Sequence, residues 1–284
     1  MGKKTSLNDS LSNLNSINLS NDNNPVLVEK VIETHCHLDM LKEQDLSHIV
    51  NQSNKIGIEK IITISISPEN FKKTINISNQ YDNIFCTQGV HPHKADLWSK
   101  DLIDQIKNNS QLEKVVAIGE IGLDYHYNFS PRKVQIKAFE EQLELAAELD
   151  LPVVIHSREA DDDMISIIQN FAIKLKKKGV LHSFTSGKNL AEEAIKNDFY
   201  LGFNGIITFK NATNVRDVLK DTPLENILIE TDAPYLTPTP FRGRENAPFY
   251  LPFIAESICK IKNIDFRTCL KQIYKNSHQV FSKI

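Results

Sequence analysis

From residue 26 onward the sequence alternates short β-branched apolar runs with longer segments of helical periodicity, and this alternation limits the folds open to the chain. Each run is short and apolar enough to be buried on both faces, as strands of a parallel sheet are. The candidate strands cover residues 28–34, 60–65, 84–89, 115–119, 153–155, 180–181, 200–203 and 227–230. Eight such strands separated by crossover helices predict an α/β fold, the TIM (β/α)8 barrel, as one domain over residues 26–284.

An open, doubly wound sheet is the alternative architecture for the same alternation. That fold favours a Gly-rich phosphate loop after its first strand. Here the first strand ends in Thr34-His35-Cys36-His37 instead. The barrel is therefore the favoured prediction.

The clearest helix signal covers residues 131–149, with Ser130 as the predicted N-cap and a proline at the first helical position. Phe139 and Leu143 lie on its apolar face at helical spacing. A further helix is predicted to begin after Asp265, whose side chain can cap the first turn.

Residues 1–25 differ from the rest of the chain. The first 24 residues contain seven Asn and five Ser and no aromatic residue, so we expect a disordered tail without chemistry of its own. The start also fits the short N-myristoylation pattern at Gly2, which is weak evidence because so short a pattern often occurs by chance.

Composition excludes several classes of protein. The formal net charge is −3, with 33 Lys and Arg against 36 Asp and Glu, which argues against binding nucleic acid by bulk charge. The four cysteines form no CxxC pair, so a reducing compartment fits best. No stretch approaches the roughly 18 apolar residues that a membrane span needs. We therefore expect a cytoplasmic protein with no membrane partner, and nothing implies an obligate protein partner.

Histidines and acidic residues concentrate at the predicted C-terminal strand ends. Six of the nine histidines fall there, and in such barrels catalytic groups come from that rim. The candidate metal ligands are His35, His37, Glu120, His156, His182 and Asp232.

The spacing of these residues suggests two divalent cations. His35 and His37 stand at i and i+2, which on a strand directs both side chains to one side, and Asp232 would join them on the first ion. Glu120 can bridge two cations through its two oxygens, and His156 and His182 would complete the second ion. The donor set leaves the metal open among Zn, Mg, Mn, Fe, Ni and Co.

Two cations at such a mouth imply hydrolysis, with a bridging hydroxide as nucleophile at neutral pH. Asp232 is the expected proton acceptor, because a strand end and a Pro-containing loop would fix the direction of its carboxylate. Glu120 and Asp232 are thus the candidate catalytic residues.

The signature segments of this sequence resemble those of the TatD-like metal-dependent hydrolases, in order and spacing, over residues 30–283. These segments are His35-Cys36-His37-Leu38-Asp39, Gly89-Val90-His91-Pro92-His93, Gly119-Glu120-Ile121-Gly122-Leu123-Asp124, His156-Ser157-Arg158, His182-Ser183-Phe184 and Glu230-Thr231-Asp232-Ala233-Pro234-Tyr235. The resemblance implies a TIM barrel, two divalent metals and deoxyribonuclease activity with DNA as substrate, with the six residues above as metal ligands.

The resemblance also implies substrate contacts. Arg158 matches a residue expected near substrate phosphate, and His91 matches a position beside the site. Similar proteins often carry Arg-Gly-Lys-Arg-Asn-Glu-Pro where this chain reads Arg242-Gly243-Arg244-Glu245-Asn246-Ala247-Pro248. We assign Arg242, Arg244 and Asn246 to substrate binding. Glu245 stands where similar proteins have a basic residue, and we expect Arg244 to take over the phosphate contact of that residue.

The leading hypothesis is a metal-dependent deoxyribonuclease that works from a strand end, as an exonuclease. The same dinuclear site could serve a D-aminoacyl-tRNA deacylase or another ester hydrolase. A nucleic-acid-associated scaffold without turnover is a third alternative, which the complete ligand set argues against.

Overall fold

Eight parallel strands follow one another in chain order around a single sheet in the computed structural model, which describes residues 18–19, 25–127 and 129–284. Every neighbouring pair along the sheet is parallel. The strands are β1 (Val31–Cys36), β2 (Ile58–Thr63), β3 (Ile84–Gln88), β4 (Val115–Asp124), β5 (Val153–Arg158), β6 (Gly179–Leu181), β7 (Tyr200–Phe203) and β8 (Ile227–Ile229).

Hydrogen bonds join the last strand to the first. The Thr34 hydroxyl in β1 donates to the carbonyl of Ile229 in β8 at 2.8 Å. Just beyond β8, the Asp232 N–H donates to the carbonyl of His35 at 2.9 Å. These contacts close the sheet into a barrel, which confirms the predicted TIM fold.

Helices connect the strands on the outside of the barrel. They are α1 (Leu46–Lys55), α2 (Pro68–Gln80), α3 (Lys100–Asn109), α4 (Arg132–Leu149), α5 (Asp161–Phe171), α6 (Lys188–Lys196), α7 (Thr213–Asp221), α8 (Leu251–Lys262) and α9 (Phe266–Val280). Among the described residues, no helix is both long enough and apolar enough to cross a membrane.

The direction of the side chains alternates along the strands and divides the core into two clusters. Ile61, Val153 and Ile229 belong to the outer cluster between strands and helices, whereas Ile62, Val154 and Leu228 belong to an inner cluster. Side chains of successive strand residues point to opposite faces, so this division places the inner cluster inside the barrel.

The eight predicted strands are all present, but some bounds differ. β1 begins at Val31 and reaches Cys36, so His35 lies within the strand and His37 directly follows it. The prediction ended the fourth strand at Gly119, whereas β4 continues to Asp124 and contains Glu120. A register shift against β5 between Gly119 and Ile121 leaves Glu120 without a partner in that strand.

The two predicted helix starts have different outcomes. The prediction of Ser130 as N-cap is wrong by one residue: α4 begins at Arg132, Pro131 is its N-cap, and the Ser130 hydroxyl donates to Asp96 at 3.2 Å. The prediction for Asp265 is confirmed, because its carboxylate accepts the Thr268 N–H at 3.0 Å.

The first segment of the chain is described only in part. Asn18–Leu19 pairs antiparallel with Pro25–Val26. Otherwise the predicted disordered tail, including the Gly2 pattern, lies outside the described residues, and the tail and the single domain over 26–284 stay predictions.

One buried side chain couples a barrel helix to the rim. Gln142 of α4 accepts the Val90 N–H at 2.7 Å and donates to the Val90 carbonyl at 3.1 Å, directly before His91. We expect Gln142→Leu to lower the free energy of unfolding by about 1–3 kcal/mol for each of the two backbone groups left unpaired. Denaturant unfolding measures this loss. The control is Gln111→Leu at an exposed position, which should change the free energy of unfolding by less than about 0.5 kcal/mol. Equal losses in both variants would contradict the role of Gln142 at the Val90 backbone.

Candidate metal centre

All six predicted metal ligands converge at the C-terminal rim of the barrel. They come from five strand ends: His35 in β1 and His37 after it, Glu120 in β4, His156 in β5, His182 after β6 and Asp232 after β8. All except the part-buried His156 are buried. The structure therefore brings together the residues that the sequence singled out.

The first group of donor atoms consists of His35, His37 and Asp232. The Nε2 atoms of the two imidazoles lie 3.6 and 3.5 Å from Asp232 Oδ1. Ligands placed tetrahedrally about 2.1 Å from one ion are about 3.4 Å apart, so this spacing suits a shared cation. Both ring nitrogens of His35 are buried without a hydrogen-bond partner, which is costly unless a ligand such as a metal ion satisfies them. The donor set thus fits a divalent cation.

The two carboxylate oxygens of Glu120 face different imidazoles. Oε2 lies 3.5 Å from His35 Nε2 and 3.8 Å from His37 Nε2. Oε1 lies 2.8 Å from His182 Nε2 and 3.0 Å from His156 Nδ1. One carboxylate therefore stands between two sets of nitrogen donors.

His91 belongs to this constellation more closely than the sequence indicated. Its Nε2 lies 3.3 Å from Glu120 Oε1, and the three donors His91, Glu120 and His156 could hold one ion together. Burial lowers the pKa of His91 to about 4, which keeps its imidazole neutral at physiological pH. His91, which the sequence analysis expects beside the substrate, is thus also a candidate metal ligand.

The electrostatics keep the carboxylates ionised. Burial alone would raise the pKa of Glu120, but the charge of His182 and the hydrogen bonds from His156 and His182 outweigh it and hold that pKa well below the usual range. For Asp232 the hydrogen bond from His37 likewise outweighs burial and lowers the pKa. Burial lowers the pKa of His35 and so favours its neutral form. Contacts with carboxylates outweigh burial and raise the pKa values of His37, His156 and His182. Metal ions bind ionised carboxylates and neutral imidazoles, so a bound cation would displace protons from these rings.

Asp124 contacts two histidines of the site, and the sequence did not single it out although it ends one of the signature segments. Its Oδ2 lies 3.0 Å from His156 Nε2 and 2.9 Å from His93 Nε2. These contacts outweigh burial and lower the pKa of Asp124. An ionised Asp124 accepts the Nε2–H of His156, which would leave the Nδ1 lone pair available to a metal ion beside Glu120.

Glu230 was likewise not assigned. Its side chain is fully buried, and Oε1 accepts the Ser183 N–H and lies 3.6 Å from His182 Nδ1. A buried carboxylate beside the distal nitrogen of a ligating histidine fixes the orientation of that ring. In the sequence, the only sign that Glu230 belongs to the site is its position two residues before Asp232.

The loop after β8 holds Asp232 in an unusual backbone conformation. Asp232 has φ +58°, in the left-handed region, where a residue other than glycine is strained. Its N–H donates to His35, and the His37 N–H donates to the carbonyl of Ala233 at 2.7 Å. The closure of the barrel thus aims this carboxylate at the two histidines of β1.

A cavity of about 620 Å³ opens above the donor atoms. Arg158, Tyr127 and Tyr235 line it together with the candidate ligands, and the Arg158 guanidinium stacks 5.0 Å from the centre of the Tyr127 ring. The position of Arg158 supports its predicted role at substrate phosphate.

The residues around Glu245 that were predicted to contact substrate lie outside the lining of this cavity. Arg242 and Arg244 are exposed and stack on Phe209 and Phe241, outside the cavity lining. The assignment of Asn246 to substrate is wrong, because its side chain is fully buried and its amide donates to the Thr231 carbonyl at 2.9 Å and to that of Tyr235.

Glu245, where similar proteins have a base, has a structural role. Its carboxylate accepts the N–H groups of Lys42 and Glu43 at 3.0 and 2.9 Å. It therefore ties two rim loops together.

We expect Asp124→Asn to weaken metal binding about 10- to 100-fold. The amide can donate to His156 Nε2 and so favour the tautomer that carries its proton on Nδ1. The fold should persist, because Oδ1 still accepts the His126 and Tyr127 N–H groups. Competition with a chelating dye measures the affinity. Asp163→Asn, which changes a carboxylate bonded to Tyr125 and Arg132 at the same rim, is the control. Equal affinity in Asp124→Asn and the parent would remove Asp124 from the site.

Comparisons with known proteins agree with this fold and site. The family described as TatD related DNase matches residues 32–282. An uncharacterized metal-dependent hydrolase, YabD of Bacillus subtilis, is 37% identical over 88% of this chain and 98% of its own length. The 3'-5' ssDNA/RNA exonuclease TatD of Erwinia tasmaniensis is 31% identical over 84% of this chain and 94% of its own.

A solved structure gives the same result. The TatD homologue YjjV of Escherichia coli superposes with a TM-score of 0.84 at 29% identity, covering 89% of this chain and 98% of that protein. Since the sequence match and the shared fold both extend across nearly the whole barrel, this chain belongs to the TatD related DNase family and is a metal-dependent hydrolase.

Proposed function

We propose that this hydrolase is a deoxyribonuclease that cleaves DNA phosphodiester bonds with two divalent cations, and that it works as an exonuclease. The observation that carries the proposal is the position of Glu120 between two sets of imidazoles at the floor of the cavity. A carboxylate that bridges two ions has this arrangement. The name of the Erwinia relative supports nucleic acid as substrate and attack from a strand end.

Divalent cations held by these six residues would neutralise phosphoryl oxygens and lower the pKa of a water molecule. Arg158 would bind a phosphate beside them, since its guanidinium matches phosphate geometry and reaches the cavity. The free cysteines Cys36, Cys86, Cys259 and Cys269 agree with a reducing, cytoplasmic location.

Asp232 is the carboxylate best placed to take the proton from the attacking water. Its side chain is 12% exposed against 3% for that of Glu120, so it is the more accessible of the two at the cavity. Its lowered pKa keeps it ionised at neutral pH. A general base needs both that accessibility and that ionisation state.

We expect Asp232→Asn to abolish DNA hydrolysis with little change in thermal unfolding, because the amide preserves the shape but accepts no proton. Glu120→Gln is the matched carboxylate variant, and it should lose metal as well as rate, since it removes the charge between the two cations. Metal analysis after dialysis separates the roles: about two ions per chain in the parent, weakened occupancy of one in Asp232→Asn, and depletion of both in Glu120→Gln. Retention of a tenth or more of parental turnover in Asp232→Asn would exclude it as the principal base.

We expect Arg158→Ala to raise KM for DNA while metal content stays unchanged, because Arg158 touches the cavity without being a candidate ligand. The difference from the parent should shrink at high salt, as for a screened phosphate contact. The control is Arg267→Ala, which also removes one positive charge. Arg267 pairs with Glu29, which precedes β1 and so lies at the opposite rim, and this variant should leave KM for DNA unchanged. Unchanged KM in Arg158→Ala at low salt would contradict its role.

A panel of substrates tests the reaction class. Metal-stripped protein is reloaded with each divalent cation and given single-stranded DNA, double-stranded DNA and a charged tRNA. The proposal expects nucleotides released from DNA. Hydrolysis of the charged tRNA alone would instead favour a deacylase, and metal binding without any hydrolysis would favour a scaffold.

A further inference from the structure

The exposed aromatic side chains of the described residues are confined to one place. Among Phe, Tyr and Trp there, only Tyr127, Phe129 and Tyr235 are exposed, at 42, 66 and 54%. Tyr127 and Tyr235 line the cavity above the donor atoms. Exposed aromatic surface at the mouth of a site is a common sign of ligand contact.

Tyr127 and Phe129 form one continuous surface beside this cavity, which we call the aromatic platform. Their rings are stacked, 5.4 Å apart at 26°. Phe129 also meets His93 edge-on at 4.9 Å, and His93 contacts Asp124 next to the candidate ligand His156. The platform therefore borders the donor atoms on the His156 side.

Hydrogen bonds hold described residues on both sides of the platform. Asp124 Oδ1 accepts the Tyr127 N–H at 3.1 Å. The buried Gln135 accepts the Asp124 N–H at 2.8 Å and donates to the carbonyls of Asp124 and Ser130 at 2.9 Å. These bonds fix the described residues Asp124, Tyr127 and Ser130 beside the two rings, and a fixed binding surface lowers the entropic cost of a contact.

A cation adjoins the platform. The Arg158 guanidinium lies 5.0 Å from the centre of the Tyr127 ring and reaches the same cavity. A flat apolar surface next to a phosphate-binding cation and a metal site matches a nucleotide, which has a π-face and an adjoining phosphate.

We propose that the aromatic platform stacks the base of the terminal nucleotide next to the bond being cut, while Arg158 binds its phosphate. This inference rests on the proposed nuclease function and specifies its substrate. Stacking requires a base with a free face. Every base has such a face, so selection among the four bases is weak.

The test compares a single-stranded oligonucleotide with the same oligonucleotide whose terminal nucleotide lacks a base. In the parent the base should raise kcat/KM, and Phe129→Ala should lower kcat/KM for the base-bearing substrate by about 5- to 150-fold, the range found for base–aromatic stacking. Cleavage of the abasic substrate should be unchanged, because no stacking partner is lost. Phe129→Trp should restore the preference. The control is Leu112→Ala, which truncates another exposed apolar side chain, before β4.

A binding measurement separates this inference from the nuclease proposal. The full metal-loaded chain is mixed with a phosphorothioate oligonucleotide that carries terminal 2-aminopurine, whose fluorescence falls on stacking. Quenching by the parent but not by Phe129→Ala supports the platform, even if DNA hydrolysis is absent and the nuclease proposal fails. Hydrolysis of DNA without quenching, or equal loss on base-bearing and abasic substrates in Phe129→Ala, would overturn the platform and leave the nuclease proposal standing. Absence of both quenching and hydrolysis in the parent would overturn both.

Discussion

The buried carboxylate of Glu120, placed among histidines from four other strand ends, is the interaction on which the rest of the site depends. An ionised carboxylate that is only 3% exposed is costly in an apolar interior unless positive charge or strong donors surround it. Its two oxygens each meet separate imidazoles, and those contacts lower its pKa well below the usual value. The negative charge of Glu120, which attracts the surrounding histidines, also makes the cluster suitable for divalent cations.

Barrel closure brings that cluster into one place. β1 and β8 are far apart in sequence, yet the bonds from Asp232 to His35 and from His37 to Ala233 join their ends. The left-handed conformation of Asp232 is stabilised by these bonds and directs its carboxylate to the histidines of β1. Strain at one backbone position therefore serves the geometry of the site.

Much of this could be predicted from the sequence, because a barrel places the C-terminal ends of all its strands at one rim. Eight apolar runs were enough for the fold, and the residues following them were enough for the six candidate ligands. What the sequence could not predict is contact between side chains. Asp124 in β4 contacts His156 in the neighbouring β5, and Glu230 after β8 contacts His182 after β6. No local pattern distinguishes these two acids from other buried acids. Asn246 was assigned to substrate binding, but it is buried and its amide bonds to backbone carbonyls of the same loop after β8.

The central claim is that Glu120 joins two cation sites. A crystal structure of the protein loaded with Mn²⁺ or Zn²⁺, with anomalous scattering recorded at the metal edge, tests this directly. The account predicts two anomalous peaks about 3.5–4 Å apart, each within bonding distance of a different oxygen of Glu120. One peak would belong to His35, His37 and Asp232, and the other to His156 and His182. A single peak, or two peaks of which only one contacts Glu120, would contradict it.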